Sequence, residues 1–238
     1  MHFPALFSIQ LINRIIDSDA LGKLLQPFAN RVDTRLSELG IINQAFQFAA
    51  INNVEGDYFE FGLYRGKTFR FAHRMKRRYK FGKMILWGFD SFQGLPEITD
   101  ERDNIWRQGA FHCSESELRA ILKKHRFKED EYVLVPGFYK DSLNDLLHER
   151  LNGRTSSVVY IDCDLYESTA QVLAFIERYL VNGTIVCFDD FYNYKGASDQ
   201  GEQKALAEFL EHHPSINFIP YLYYSPLGRS FIVRRSHA

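Results

Sequence analysis

Four aspartates follow two neighbouring apolar segments of the sequence. Asp162 and Asp164 come after the first segment, and Asp189 and Asp190 come directly after the second. If these carboxylates converge in the folded chain they repel one another, so we expect a cation among them. Carboxylate oxygens are the ligands that hard cations prefer. The sequence therefore predicts a site for Mg²⁺ or a similar ion.

The two apolar segments have the composition of buried strands. Val158–Ile161 and Thr184–Phe188 are rich in β-branched residues, and the stretch between them repeats apolar residues at helical spacing, from Val172 to Leu180. This pattern predicts a strand, helix, strand unit, whose two strands run parallel with a right-handed crossover. Parallel strands end at the same edge of the sheet, where open α/β folds bind their ligands.

A second group of candidate site residues lies at the ends of the first two predicted strands. Glu60 is followed by Gly62, Gly66 and a helix, a turn in which the backbone approaches a ligand closely. Asp90 ends the second strand, where Rossmann-like folds bind ribose hydroxyls. Together they predict a pocket for an adenosine-bearing cofactor. The dinucleotide fingerprint G-x-G-x-x-G is absent, and a cofactor with a cationic amino-acid tail suits Glu60.

Strand and helix patterns alternate from Gly56 onward. The predicted strands are Asp57–Phe61, Met84–Phe89, Tyr132–Val135, Val158–Ile161, Thr184–Phe188, Asn217–Tyr224 and Arg229–Arg234. Helical patterns separate the first five, among them Ser114–His125, which opens with the capping box of Ser114 and Glu117, and Lys140–Leu151. The short turn before Arg229 permits only a hairpin, so the last strand is predicted to be antiparallel to its neighbour. The fold class is α/β.

Residues Ala5–Ala50 are predicted to be helical and amphipathic. We divide the chain into a helical extension, 1–54, and one catalytic domain, 55–238. The extension is either a lid or dimer-forming cap over the active edge, or a helical layer that packs on the sheet. Self-association into a homo-oligomer through these helices is a further expectation.

The overall composition excludes some classes of protein. The net charge of -1 argues against a nucleic-acid partner. The apolar pattern of Leu6–Ile16 is interrupted by Gln10, Asn13 and Arg14, so neither a signal peptide nor a membrane span is predicted. The 3 cysteines are an odd number without zinc-type spacing, which indicates reduced thiols and a cytoplasmic protein.

Five segments, in this order, resemble motifs of the class I S-adenosylmethionine-dependent methyltransferases, and more closely those of the macrocin O-methyltransferase (TylF/MycF/NovP) family. The segments are Glu60–Gly66 (E-F-G-L-Y-R-G), Asp90–Pro96 (D-S-F-Q-G-L-P), Gly137–Leu143 (G-F-Y-K-D-S-L), Asp162–Thr169 (D-C-D-L-Y-E-S-T) and Asp189–Phe191 (D-D-F). The sequence departs from the family at Tyr64 and Phe138, where tryptophan is usual, and Phe231–Val233 lacks its Tyr-Trp pair.

The resemblance implies a Rossmann-like class I methyltransferase sheet of seven strands, the last antiparallel. It also implies S-adenosylmethionine, Mg²⁺ on Asp162, Asp189 and Asp190, and methylation of a hydroxyl on a sugar or a glycosylated small molecule. The predicted cofactor-binding residues are Glu60, Gly62, Tyr64, Arg65, Gly66, Thr68, Asp90, Ser91, Gly137, Phe138 and Asp162.

Several of these residues have alternative interpretations. Asp164 is predicted to remove the proton from the hydroxyl that receives the methyl group. With Glu167 three residues later, Asp164 could equally cap the next helix. Glu60 could form an ion pair with Arg65 or Lys67, and Asp90 could be an ordinary turn residue. The main alternative function is a metal-dependent glycosyltransferase that uses Asp162-Cys163-Asp164 as a D-x-D motif. A protein that binds the cofactor without catalysis is a further alternative.

Overall fold

The computed structural model describes residues 37–98 and 105–236. Its strands are β1 (Asp57–Phe61), β2 (Leu86–Asp90), β3 (Tyr132–Pro136), β4 (Ser156–Ile161), β5 (Leu180–Phe188), β6 (Ile216–Tyr224) and β7 (Gly228–Arg235). In this part of the chain they form one sheet in the order β3-β2-β1-β4-β5-β7-β6.

Strands β1 to β5 are parallel, and β7 runs antiparallel to both β5 and β6. Both the parallel set and the antiparallel last strand were predicted, and both are confirmed. Strand β5 begins at Leu180, earlier than predicted, because Leu180 pairs with Ser156 before the register shifts and Ile185 pairs with Val158. The intervening Gly183, at φ 92°, interrupts the strand pattern in the sequence, so the earlier start of β5 was not predicted.

The helices are α1 (Glu38–Ile51), α2 (Lys67–Arg78), α3 (Glu115–Lys124), α4 (Tyr139–Ser142), α5 (Asp145–Arg150), α6 (Tyr166–Ile176) and α7 (Gly201–His212), with short 3₁₀ turns at Glu177–Tyr179 and Tyr194–Gly196. The capping box of Ser114 and Glu117 is confirmed at the start of α3. The single helix predicted over Lys140–Leu151 is wrong. It is split because the Asn144 side chain accepts the Leu147 N–H and starts a new helix.

Helices cover both faces of the sheet. On one face α6 and α7 pack over Phe61, Ile161 and Phe188. On the other face α1 and α2 pack over Tyr58 and Tyr160. Such double coverage explains why every residue of the central strands β1 and β4 is buried.

Helix α1 shares the core of the sheet. Its buried side chains are Ile41, Ile42, Ala45, Phe46 and Ala49. Residues 38–51 therefore form a helical layer on the sheet, while the role of the whole extension as a cap or a layer stays a prediction. The earlier part of the predicted extension lies outside the described residues, and the boundary at residue 54 stays a prediction. No helix within 37–98 and 105–236 has both the length and the apolarity to cross a membrane.

Candidate active site

A cavity of about 820 Å³ opens at the carboxyl ends of the parallel strands. Its walls include most of the residues predicted from the sequence: Gly62, Tyr64, Arg65, Thr68, Asp90, Ser91, Gly137, Phe138, Asp162, Asp164, Asp189 and Asp190. Two predicted residues, Glu60 and Gly66, are not part of the walls. The structure thus brings the predicted cofactor residues and the acidic residues into one cavity.

Gly62 joins the two halves of this cavity. Its φ is 89°, and a Cβ atom on it would lie 1.8 Å from the main-chain oxygen of Asp162. The loop after β1 therefore lies directly against the loop after β4, and only glycine permits this contact. The neighbouring Asp162 N–H donates to the carbonyl of Phe61 at 2.8 Å, which fixes the two loops relative to each other.

We expect Gly62→Ala to destabilise the protein by at least about 2 kcal/mol, because it combines backbone strain with a steric collision. Gly153→Ala is the matched control, since Gly153 has φ 75° but no atom within 4 Å of the added Cβ. The control retains the backbone strain alone, and we expect it to lose about 1 kcal/mol. Denaturant unfolding of both variants measures the difference, and equal losses would show that the close contact is unimportant.

Asp90 organises the same loop. Its Oδ2 accepts the N–H groups of Leu63 at 2.7 Å and Tyr64 at 3.1 Å, and its Oδ1 accepts the Phe92 N–H at 2.7 Å. Burial raises the pKa of Asp90, and these three amide hydrogen bonds oppose that rise. Asp90 is therefore more than an ordinary turn residue, because it holds the loop after β1. Its contact with a ribose stays a prediction.

Glu60 is fully buried, with 0% of its surface exposed. It accepts hydrogen bonds from the Tyr58 hydroxyl and, at 2.6 Å, from the Thr68 hydroxyl. The alternative ion pair with Lys67 is not formed, because Lys67 contacts Glu38 at 2.6 Å. Glu60 thus ties β1 to the first turn of α2, and its predicted contact with the cofactor stays a prediction.

The buried Glu60 should make stability depend on pH. Burial raises its pKa from 4.5 to about 8, so the folded state keeps a proton that the unfolded chain loses. The resulting stabilisation is complete below pH 4.5 and is lost as the pH rises through 8, a change on the order of 5 kcal/mol. Glu60→Gln mimics the protonated side chain. Denaturant unfolding at pH 5 and pH 8 should show a smaller fall in the variant, and equal falls would contradict this assignment.

Three of the four aspartates converge in the cavity. Carboxylate oxygens of Asp162, Asp164 and Asp190 all lie within 4.8 Å of one another. Burial, and then the neighbouring carboxylates, raise the pKa of both Asp162 and Asp164. Asp164 also shares a hydrogen bond with Asp190. Buried oxygen ligands that repel one another are a donor set that a hard cation fits.

Asp189 lies on the wall of the same cavity but takes a different partner. The Tyr160 hydroxyl donates to its Oδ1 at 2.6 Å. Burial raises the pKa of Asp189 to about 7, although the hydrogen bond from Tyr160 opposes the rise. The observed group of three carboxylates therefore includes Asp164, whereas the predicted set of metal ligands included Asp189 in its place. The metal-binding roles themselves stay predictions.

Asp164 does not cap the following helix, so that alternative is wrong. The N-cap of α6 is Leu165, and no side chain makes a capping hydrogen bond there. Asp164 has φ 62°, a left-handed conformation that aspartate tolerates. Its side chain is 7% exposed and interacts with Asp190. Its predicted role as a proton acceptor is therefore compatible with the geometry.

Sequence reasoning missed several residues of the site. Glu202 is buried beside the acidic cluster of Asp162, Asp164, Asp189 and Asp190. Trp106 and Phe111 form an edge-to-face pair on the cavity wall, where Phe111 also contacts the predicted Tyr64. The Glu38 side chain on α1 also reaches the wall. No motif identifies them, because they come from elements distant in sequence. The single sequence signal for Glu202 is an acidic residue at the start of a helix.

Comparison with known proteins gives three related results. The family described as macrocin-O-methyltransferase (TylF) matches residues 32–214. The chain is 27% identical over 163 residues to 8-demethyl-8-(2,3-dimethoxy-alpha-L-rhamnosyl)-tetracenomycin-C 4'-O-methyltransferase of Streptomyces olivaceus. It is 28% identical over 163 residues to demethyldecarbamoylnovobiocin O-methyltransferase of Streptomyces niveus. Each alignment covers 66% of this chain and 60% of the relative.

The fold also has solved counterparts. The chain is similar to the calicheamicin methyltransferase CalS11, with a TM-score of 0.70 and 22% identity, over 98% of this chain and 94% of the other. At this identity the likeness shows the fold alone. It confirms the predicted α/β sheet of the class I O-methyltransferases.

Proposed function

Because the chain belongs to the macrocin-O-methyltransferase (TylF) family, we propose that it transfers a methyl group from S-adenosylmethionine to a hydroxyl of a sugar or a glycosylated small molecule. A divalent cation such as Mg²⁺ takes part. The observation that supports this proposal is the close contact of Gly62 with Asp162, because it joins the loop after β1, to which we assign the donor, to the acidic residues. One relative is named for a rhamnosyl-bearing substrate, which supports a sugar-containing acceptor.

The donor site is the part of the cavity formed by the loops after β1, β2 and β3. S-adenosylmethionine, when bound, supplies a methyl group already activated on a sulfonium. Gly62 lets the loop after β1 lie against the loop after β4, and Asp90 keeps the loop after β1 in place. The Tyr64 ring, 46% exposed, and Phe138 offer aromatic surfaces for the adenine. These residues bind and orient the donor.

The carboxylates of Asp162, Asp164 and Asp190, with Asp189 on the same cavity wall, fit a divalent cation because they offer oxygen donors that repel one another. We assign Asp162, Asp189 and Asp190 as the ligands. A bound cation would lower the pKa of an acceptor hydroxyl and orient the acceptor. That help is needed because an aliphatic hydroxyl is as weak an acid as water, and a carboxylate alone is a poor base for it.

Asp164 is assigned as the proton acceptor. It lies on the cavity wall beside Asp162 and Asp190, and no helix cap competes for its oxygens. Burial and the Asp190 carboxylate raise its pKa above the ordinary aspartate value, which improves its match to a proton-transfer role.

Calorimetric titration distinguishes this function from its rival. We expect S-adenosylmethionine to bind, and a nucleotide sugar such as UDP-glucose not to bind, with and without Mg²⁺. Binding of the nucleotide sugar alone would support the glycosyltransferase that uses Asp162-Cys163-Asp164. A mass-spectrometric screen of glycosides with S-adenosylmethionine then identifies the acceptor. Donor binding without methylation of any sugar hydroxyl would favour the non-catalytic alternative.

A further inference from the structure

Glu202 lies in the first turn of α7 and is 1% exposed. Its Oε2 accepts the main-chain N–H of Asp190 at 3.1 Å. Its Oε1 is buried and has no hydrogen-bond partner among the described residues. This is an unusual arrangement, because buried polar atoms in proteins are almost always paired.

The surroundings of Glu202 do not explain its burial as a stabilising feature. Burial raises the pKa of Glu202, and the charged groups that raise it further are the carboxylates of Asp190, Asp189, Asp162 and Asp164. The helix dipole stabilises an acidic residue near a helix N-terminus only modestly. The desolvation cost of burying a carboxylate is larger, so the helix dipole does not offset the burial.

The hydrogen bond with Asp190 has a clear structural consequence. The Asp189 N–H still donates to the Ile161 carbonyl, at 2.9 Å, and so extends the pairing of β4 with β5. The Asp190 N–H instead turns to Glu202. Glu202 therefore holds the main chain of Asp190 at the point where it leaves the sheet, while the Asn193 side-chain amide donates to the Asp190 Oδ1 at 2.7 Å.

We propose that Glu202 is a positioning residue of the metal site: its hydrogen bond to the Asp190 main chain holds the Asp190 carboxylate beside Asp162. The inference rests on the proposed function, because it assumes that these aspartates bind a divalent cation. Outer partners of metal ligands typically contribute 10- to 100-fold in metal affinity. Here Glu202 binds the main chain of Asp190, so it fixes the position from which the Asp190 side chain extends.

The test measures metal binding directly. Mn²⁺ is titrated into the purified protein without acceptor, and the free ion is followed by electron paramagnetic resonance. We expect Glu202→Ala to raise the Mn²⁺ Kd about 10- to 100-fold. Glu202→Gln retains an oxygen that accepts the Asp190 N–H, so its Kd should stay within about threefold of wild type. Glu211→Ala is the matched control, because Glu211 lies on the same helix but is exposed.

A second measurement separates positioning from a general loss of structure. Calorimetry with S-adenosylmethionine should give Kd values within about twofold for all four proteins, since Glu202 is not among the residues that line the cavity. Unchanged Mn²⁺ affinity in Glu202→Ala would overturn the inference. If Glu202→Ala does not fold, Glu202→Gln provides the test, and loss of Mn²⁺ affinity in Glu202→Gln would overturn the inference. Failure of the wild-type protein to bind Mn²⁺ would instead overturn the proposed metal dependence.

Discussion

Replacing Asp164 with asparagine should lower the rate of methyl transfer by about 10²- to 10⁴-fold, the usual contribution of a general base. Asparagine retains the size of the side chain and tolerates the left-handed backbone at this position. It cannot accept a proton from the acceptor hydroxyl. Affinity for S-adenosylmethionine should change little, because Asp164 is not among the predicted cofactor-binding residues.

Single-turnover kinetics with a glycoside from the acceptor screen measure this effect on the chemical step. Asp145→Asn provides the control. The substitution removes the same charge, and Asp145 is exposed on α5. A fully active Asp164→Asn enzyme would exclude the proton-acceptor role. A variant that instead loses Mg²⁺ affinity would place Asp164 among the ligands, as the observed group of three carboxylates allows.

Removing divalent cations with EDTA should lower turnover by at least about 10³-fold, because the site then lacks the charge that acidifies the acceptor hydroxyl. Added Mg²⁺ should restore activity to the wild-type enzyme but not to Asp162→Ala or Asp190→Ala. Donor binding should persist in EDTA, since Asp90 holds the loop after β1 through the main-chain N–H groups of Leu63 and Tyr64, and these hydrogen bonds need no cation. Full activity in the chelator would refute the metal requirement.

The ligand set can be resolved with one more variant. Asp189→Asn should weaken Mg²⁺ binding at least about tenfold if Asp189 is a ligand, as assigned here. Unchanged affinity would mean that its hydrogen bond with Tyr160 is its principal interaction, and the ligands would then be Asp162, Asp164 and Asp190. Isothermal titration calorimetry with Mg²⁺ distinguishes the two sets.

The parallel strands and the position of the acidic residues followed from local patterns. Val158–Ile161 and Thr184–Phe188 are apolar runs that end in aspartate, and a crossover helix forces both runs to end at one edge. Ser114 predicted the start of α3 because its side chain satisfies a helix amide without help from the rest of the fold. Features that depend on nearby residues alone were therefore predictable.

The directions of side chains beyond the strand ends were not predictable. Asp164 has the sequence context of a helix cap, but its left-handed backbone turns it to Asp190 instead. Glu60 and Glu202 acquire their roles from residues that only tertiary packing brings together. Location in the cytoplasm, self-association through residues 1–54 and the domain boundary stay predictions.

The place of β7 between β5 and β6 bears on how the protein is synthesised. Phe188 pairs with Arg229, so the strand that leads into Asp189 and Asp190 keeps an open edge until translation reaches β7. At about 5–20 residues per second, this interval lasts several seconds. A nascent chain that stalls between β5 and β7 already contains every proposed catalytic aspartate. It also exposes an unpaired strand edge of the kind that chaperones protect from aggregation.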